Sequence, residues 1–185
     1  MEVVEVDRGM HIEQLSSIGE HKEELSKLLI RVVEDGASIG FLPPLHAAEA
    51  NSYWENVLQP EVVLYVARLH HRIVGTVQLQ LCIKPNGSHR AEIAKLMTHP
   101  DYRRSGIGRS LMHTVEERAL QEGRSLLVLD TREGDPSNRL YASLGFIQAG
   151  RIPNYALSAN GELHATILYY KYADSPSSAA SASLD

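Results

Sequence analysis

Apolar positions recur along this chain with two different periods. In 20–34, EHKEELSKLLIRVVE, Leu25, Leu28, Leu29, Val32 and Val33 follow i, i+3, i+4, i+7, i+8 spacing, the stripe of an amphipathic helix. A second helix is expected through 46–59, HAAEANSYWENVLQ, ending before Pro60. The link between the two is broken up by Gly36, Gly40, Pro43 and Pro44. The period then shortens. VVLYVARL (62–69) and IVGTVQLQLCI (73–83) are rich in β-branched residues and predict an antiparallel hairpin. KPNGS (84–88) is a turn, and RAEIAKLMT (90–98) is the next strand. Helical spacing returns over 107–122, with Leu111, Met112, Val115 and Ala119 on one side and Gly123 as the stop. SLLVLDT (125–131) is apolar enough to be a buried strand. Asp135 and Pro136 predict the N-cap and first position of a further helix, SNRLYASL. A closing hairpin is expected around SANG (158–161), and an opening strand at EVVEV (2–6).

This order predicts an α/β fold: a mixed, largely antiparallel central sheet of about seven strands with flanking helices. Residues 1–173 read as one domain. The tail 174–185, DSPSSAASASLD, is small and polar and is expected to be disordered.

Composition narrows the function. Hydrophobic residues make up 43% of the 185, as a globular core requires. The formal net charge of −5 argues against a nucleic-acid binder. A single cysteine, Cys82, excludes an intrachain disulfide. The opening MEVVEVDRGMHIEQ lacks an apolar signal core, and no apolar run has the length of a membrane span. A cytoplasmic protein without a membrane partner is expected, with the nucleus not separated from the cytoplasm.

The stretch DYRRSGIGRSLM (101–112) sets Gly106 and Gly108 among Arg103, Arg104 and Arg109, at the start of a helix. The first amides of a helix are unpaired and its dipole is positive there. Glycine lets the backbone approach a ligand and adopt positive φ. A pyrophosphate fits such a turn. Neither G-x-G-x-x-G nor G-x-x-x-x-G-K-[ST] is completed, since Leu111 takes the third glycine position of the first and no lysine follows for the second. On two glycines alone, an empty strand-to-helix turn is equally consistent.

Arg103-x-x-Gly106-x-Gly108, following a proline turn and opening a helix, resembles the acetyl-CoA loop of GNAT-type N-acetyltransferases. NRLYASLGF (138–146) is similar to the second half of that family's cofactor site, and the element order over 2–172 fits its fold. EDGASIGFLPPL, VQLQLCIKPNGSHRAEIAKLM and GRIPNYALSANGELHATILYYK further resemble the tabtoxin-resistance acetyltransferases, which acetylate a β-lactam amino-acid toxin. The resemblance implies acetyl-CoA as cosubstrate, held by Arg103, Arg104, Ser105, Gly106, Ile107, Gly108, Arg109 and Ser110. It implies backbone pairing at Leu96, Met97 and Thr98, with Asn138 against the pantetheine arm and Tyr141 near the sulfur. It also implies a small amine acceptor and leaves a homodimer open. Protein amines, or a CoA-binding module without catalysis, are the alternatives.

Amide formation from a thioester needs a neutral amine. For a lysine-like amine, deprotonation at pH 7 costs about 4–5 kcal/mol, so a base within reach helps. Glu92 is the first candidate, expected to share a face with Ala94 and Leu96; pairing with Arg90 is the structural alternative. Asp130, at the end of LLVLD, is the second; capping TREGD is its alternative. Tyr141 fits the acid that protonates the leaving thiolate, or else a core residue. Cys82 reads as core filler rather than nucleophile. The nine histidines form no metal-ligand spacing, so no metal is expected. Tyr53 and Trp54 read either as the border of the acceptor pocket or as core.

Overall fold

The computed structural model describes residues 9–173. The expected strand at 2–6 and the expected disordered tail lie outside these residues. The elements run β1 (Met10–Leu15), α1 (Lys22–Glu34), α2 (Ala47–Glu55), β2 (Val62–Leu69), β3 (Arg72–Leu81), β4 (Arg90–Thr98), α3 (Ile107–Gln121), β5 (Leu126–Arg132), α4 (Ser137–Ser143), β6 (Ile147–Leu157) and β7 (Leu163–Tyr172). The sheet has seven strands in the order β1-β2-β3-β4-β5-β7-β6. Every neighbouring pair is antiparallel except β4 and β5.

Each sheet face has its own core. Leu111, Met112, Val115 and Ala119 of α3 bury against Val63, Ala67, Val77, Leu79, Ala91, Ile93, Leu127 and Leu129, and Tyr141 of α4 and Leu144 just after it join that cluster. On the other face, the apolar stripe of α1 packs with Trp54 of α2 against Leu64, Val66, Ile73 and Met97. This second cluster includes nothing from β5, β6 or β7 among the described residues. That face of the sheet is therefore left without a helical cover beyond β4.

Two predicted helices end or begin differently. The second stops at Glu55 rather than Gln59, because the Asn56 side chain donates to the Ser52 carbonyl at 2.7 Å and satisfies the last turn. Asp135 does not cap α4 with its side chain: the carboxylate bonds Arg132, and Pro136 occupies the position before the helix. The observed β1, MHIEQL, was not among the predicted strands. It pairs with β2 alone and its exposure does not alternate cleanly, so its periodicity is weak.

Candidate active site

β4 and β5 pair over only three residues, Arg90↔Leu126, Ala91↔Leu127 and Glu92↔Val128. Beyond Glu92 the two strands part. β5 continues to Arg132 against β7, while β4 continues to Thr98 against β3. The β5-facing edge of β4 past Glu92 thus lacks a strand partner, and the sheet carries a gap that opens on both faces.

A bulge shapes the β4 side of this gap. The β3–β4 register shifts between Thr76 and Gln78, and Lys95 takes φ +52°. The extra residue reverses the side-chain alternation. Leu96 therefore packs with the α3-side cluster, and Met97 with the α1-side cluster. The expectation that Glu92 and Leu96 share a face is corrected by this bulge. Met97 is 2% exposed, so only its backbone can face the gap.

The glycine turn lies at the same end of the gap. Gly106 has φ +83° and open space around it, as the residue before α3. The first intrahelical bond runs from Ser110 N to Gly106 O at 3.0 Å, so the preceding amides stay available. A Cβ on Gly75 of β3 would lie 2.9 Å from both the Met97 carbonyl and Ile107 Cγ2. The missing side chain is what allows the start of α3 to lie directly against the end of β4. A Cβ on Gly108 would be 3.4 Å from Leu140 Cδ2 and 3.9 Å from Thr98 Oγ1, which brings α4 to the same place. An exposed loop, free helix amides and an unpaired strand edge fit the diphosphate and pantetheine of acetyl-CoA.

The arginines divide. Arg103 Nη1 donates to Asp35 Oδ2 at 2.6 Å, and Arg109 Nη2 to Ser143 Oγ at 2.8 Å. Arg104 makes no ion pair among the described residues. Ser105 Oγ donates to the Tyr102 carbonyl. Asn138 is occupied within the protein: its amide nitrogen donates to the Arg132 and Asp135 carbonyls, each at 2.9 Å, and its oxygen accepts from Tyr169 at 2.9 Å.

Across the gap the two faces differ chemically. Tyr141 lies on the α3 side, 6% exposed, between Phe146 and Tyr169. Burial pushes its phenol well above the ordinary value, and the charges of Asp130, Asp135 and Tyr169 push the same way. Glu92 and Asp130 face the other side, in the uncovered trough. Register places Glu92 beside Gln80 and Val128, and Asp130 beside Leu168. Asp130 Oδ2 accepts from Thr166 Oγ1 at 2.7 Å, so it is held across to β7 rather than capping the following loop. Glu92 has no hydrogen-bond partner among the described residues, and Arg90 turns instead to Cys82 Sγ at 3.6 Å. Glu92 reaches solvent, yet the trough crowds it: burial raises its carboxyl, the Asp130 charge raises it further, and Lys95 and Arg90 oppose.

Lys95 is a site residue that periodicity did not single out. Its ammonium donates to the Ile39 carbonyl at 2.5 Å and lies 5.6 Å from the Phe41 ring, fastening the α1–α2 connection over the bulge. Burial lowers its pKa, with Asp130 and Glu92 acting against that. The signal was a cation in the second half of RAEIAKLMT, between Ala94 and Leu96. Thr166 gave no signal. Of the two aromatic candidates, Trp54 is wholly buried core, whereas Tyr53 accepts from Gln78 Nε2 at 2.7 Å on the trough side. No cluster of metal-ligating side chains occurs among the described residues. Nor does any helix among them have the length and apolarity to cross a membrane.

A mixed sheet parted between two parallel strands, with a glycine-led helix start at the gap, defines a class of acyl-transfer enzymes. The model of the acetyltransferase (GNAT) family matches residues 21–146, more than half of the chain, and the chain belongs to that family. The family uses acetyl-CoA as its acetyl donor. Solved structures share the fold. An acetyltransferase of the GNAT family from Streptococcus pneumoniae superposes with a TM-score of 0.74 at 18% identity, covering 88% of this chain and 98% of that one. The protein yncA from Salmonella typhimurium, solved with its cofactor acetyl-CoA, gives 0.75 at 16% identity, covering 92% and 97%. The ribosomal-protein-S18-alanine N-acetyltransferase from Escherichia coli gives 0.68 at 18% identity, covering 90% and 95%.

Proposed function

We propose that this protein is an N-acetyltransferase that acetylates the primary amine of a small, amino-acid-like molecule by direct attack in a ternary complex. One observation carries the reading. Two carboxylates, Glu92 and Asp130, face the gap from the uncovered side, while a buried phenol, Tyr141, faces it from the other.

Acetyl-CoA would be held by the backbone of Ser105–Ser110, with Arg103, Arg104 and Arg109 around it and its arm along Leu96–Thr98. Bound there, it supplies the activated acetyl group. Asp130, fixed by Thr166, attracts and orients the ammonium of the acceptor. Glu92, unpaired and with its proton affinity raised, takes the proton that ammonium must lose, directly or through water. Tyr141, kept protonated by burial, would donate its proton to the departing sulfur as thiolate charge develops and regain one from solvent. Asn138 acts through Tyr169 and the β5–α4 connection rather than by free donors of its own.

A small acceptor is the first choice for the open depression of about 390 Å³ past the end of β5, which is lined by polar groups including Arg132, Asp135, Ser158 and His164 and follows Asp130 on the same strand. The loop resemblance to tabtoxin-resistance enzymes directs the first choice to β-lactam amino acids. The test is a thiol-release screen with acetyl-CoA over small amines, β-lactam amino acids and peptides, repeated with Glu92→Gln and Tyr141→Phe. Turnover confined to peptides would replace the small-molecule reading, and full rates in both variants would remove the assigned roles.

A further inference from the structure

Arg132 closes β5 two residues beyond Asp130, on the same face of the strand. Its guanidinium reaches three separate segments. Nε donates to Asp135 Oδ1 at 2.9 Å, in the β5–α4 connection. Nη1 donates to Ser158 Oγ at 3.1 Å, at the start of the β6–β7 turn, and Nη2 donates to the Gly36 carbonyl at 3.0 Å, just past α1. Those three segments, with His164, bound the cavity of about 390 Å³.

The contacts form one network. Arginine only donates, so Ser158 Oγ accepts from it, and the same oxygen shares a hydrogen bond with His164 Nδ1 at 2.8 Å whose direction is set by the imidazole tautomer. Ser158 is 7% exposed, and its own N–H bonds the Glu162 carbonyl at 2.9 Å, so the hydroxyl is anchored within the turn. Each segment is closed locally, Gly36 N–H donating to the Val33 carbonyl at 3.0 Å and Asn138 bonding the Arg132 and Asp135 carbonyls, and Arg132 is what ties one segment to another. A planar five-donor fork reaches three acceptors in three directions, which a lysine ammonium on a shorter stem does not. Asp35, next to Gly36, is held separately by Arg103 of the cofactor loop at 2.6 Å.

We propose that Arg132 is a positioning residue for the acceptor: it fixes the three segments around the cavity and so sets which amine reaches Asp130 and Glu92. The role rests on the amine-acetyltransferase reading above, and it leaves acetyl-CoA binding to the α3 face of the gap.

The experiment compares the full-length protein with Arg132→Met and Arg132→Lys by hydrogen exchange and by thiol release. The panel is ethanolamine, putrescine, L-lysine and a lysine-containing peptide. Arg132→Met should speed exchange in 34–40, 133–137 and 158–163 together by about tenfold or more, while α3 and the β2–β3 hairpin exchange as before. KM for the preferred amine should rise by about tenfold and the preference order should flatten, with KM for acetyl-CoA held within about twofold. Arg132→Lys should fall between, keeping the Asp135 contact alone. Unchanged exchange in the three segments overturns the proposal, as does loosened exchange with the original amine preference and KM. A wild-type protein that acetylates no panel member removes the amine reading, and the exchange pattern then decides by itself whether Arg132 holds the segments.

Discussion

Glu92 and Asp130 differ in how they are held, and the proposed division of their work follows that difference. Asp130 is bonded to Thr166, whereas Glu92 has no partner among the described residues and is raised by burial and by Asp130. A free carboxylate with raised proton affinity suits a base; a tethered one suits orientation. Glu92→Gln should lower kcat/KM at neutral pH by roughly 10²-fold and abolish the rising limb of its pH profile, measured by thiol release. The same substitution should stabilise the fold. A carboxyl that binds its proton more tightly when folded stabilises the chain below its ordinary pKa of 4.5 and loses that contribution as pH rises through the raised value. The thermal midpoint of Glu92→Gln should therefore exceed the wild type at neutral pH, the gain shrinking toward mildly acidic pH. Tyr141 shifts for a related reason: burial keeps its phenol protonated across the working range and also makes it a weaker acid, so it gives up its proton only as thiolate charge develops beside it. Tyr141→Phe should cost roughly 10²-fold in kcat with acetyl-CoA affinity retained by calorimetry, and the wild-type profile should show no falling limb at or below the ordinary phenol value of 10.0.

At the scale of elements, one glycine governs how helix and sheet meet at the gap. A methyl group at Gly75 would stand 2.9 Å from the Met97 carbonyl, which the sheet fixes, and 2.9 Å from Ile107 Cγ2. The start of α3 must then move. Gly75→Ala should destabilise by about 1–3 kcal/mol in urea unfolding and weaken acetyl-CoA binding in calorimetry. Gly19→Ala, where nothing lies within 4 Å, serves as the control that changes neither. Much of this architecture was readable beforehand. The stripe of α1, the β2–β3 hairpin, β4, α3, β5 and the closing hairpin all follow local periodicity, which is a property of neighbouring residues. Three features were not readable because they are set between strands. The Lys95 bulge exists only in the β3–β4 register, the short β4–β5 pairing only in the way the two strands part, and β1 only in its pairing with β2. The site divides likewise. Glu92 and Asp130 stood out as carboxylates in strands and Tyr141 through the family resemblance of NRLYASLGF, whereas Thr166 meets Asp130 from 36 positions away, and Arg132 meets Gly36 from 96. No local pattern encodes such meetings.

At the scale of the whole molecule, the proposed reaction would give each substrate its own approach to the gap between β4 and β5. The glycine turn and Tyr141 belong to the α3 face, the carboxylates to the face that α1 and α2 leave uncovered beyond β4. Two substrates that enter from opposite faces can be bound together, and the amine can then attack with no acetyl-protein stage between. The one thiol is placed against such a stage. Cys82 pairs with Arg90, upstream of the last β4–β5 pair, so the gap opens away from it. Its sulfur is packed beneath the turn, 2.6 Å from where a Cβ on Gly87 would stand. Initial-velocity lines for acetyl-CoA against amine should therefore intersect. Cys82→Ser should keep the wild-type rate within about twofold, since a half-buried thiol packed against Gly87 contributes packing rather than chemistry. Intact-mass spectra of wild-type protein incubated with acetyl-CoA alone should show no added acetyl group at Cys82. Parallel lines, together with an acetylated Cys82, would mean that the acetyl group leaves the gap toward its closed end, a route that the three paired residues of β4 and β5 obstruct.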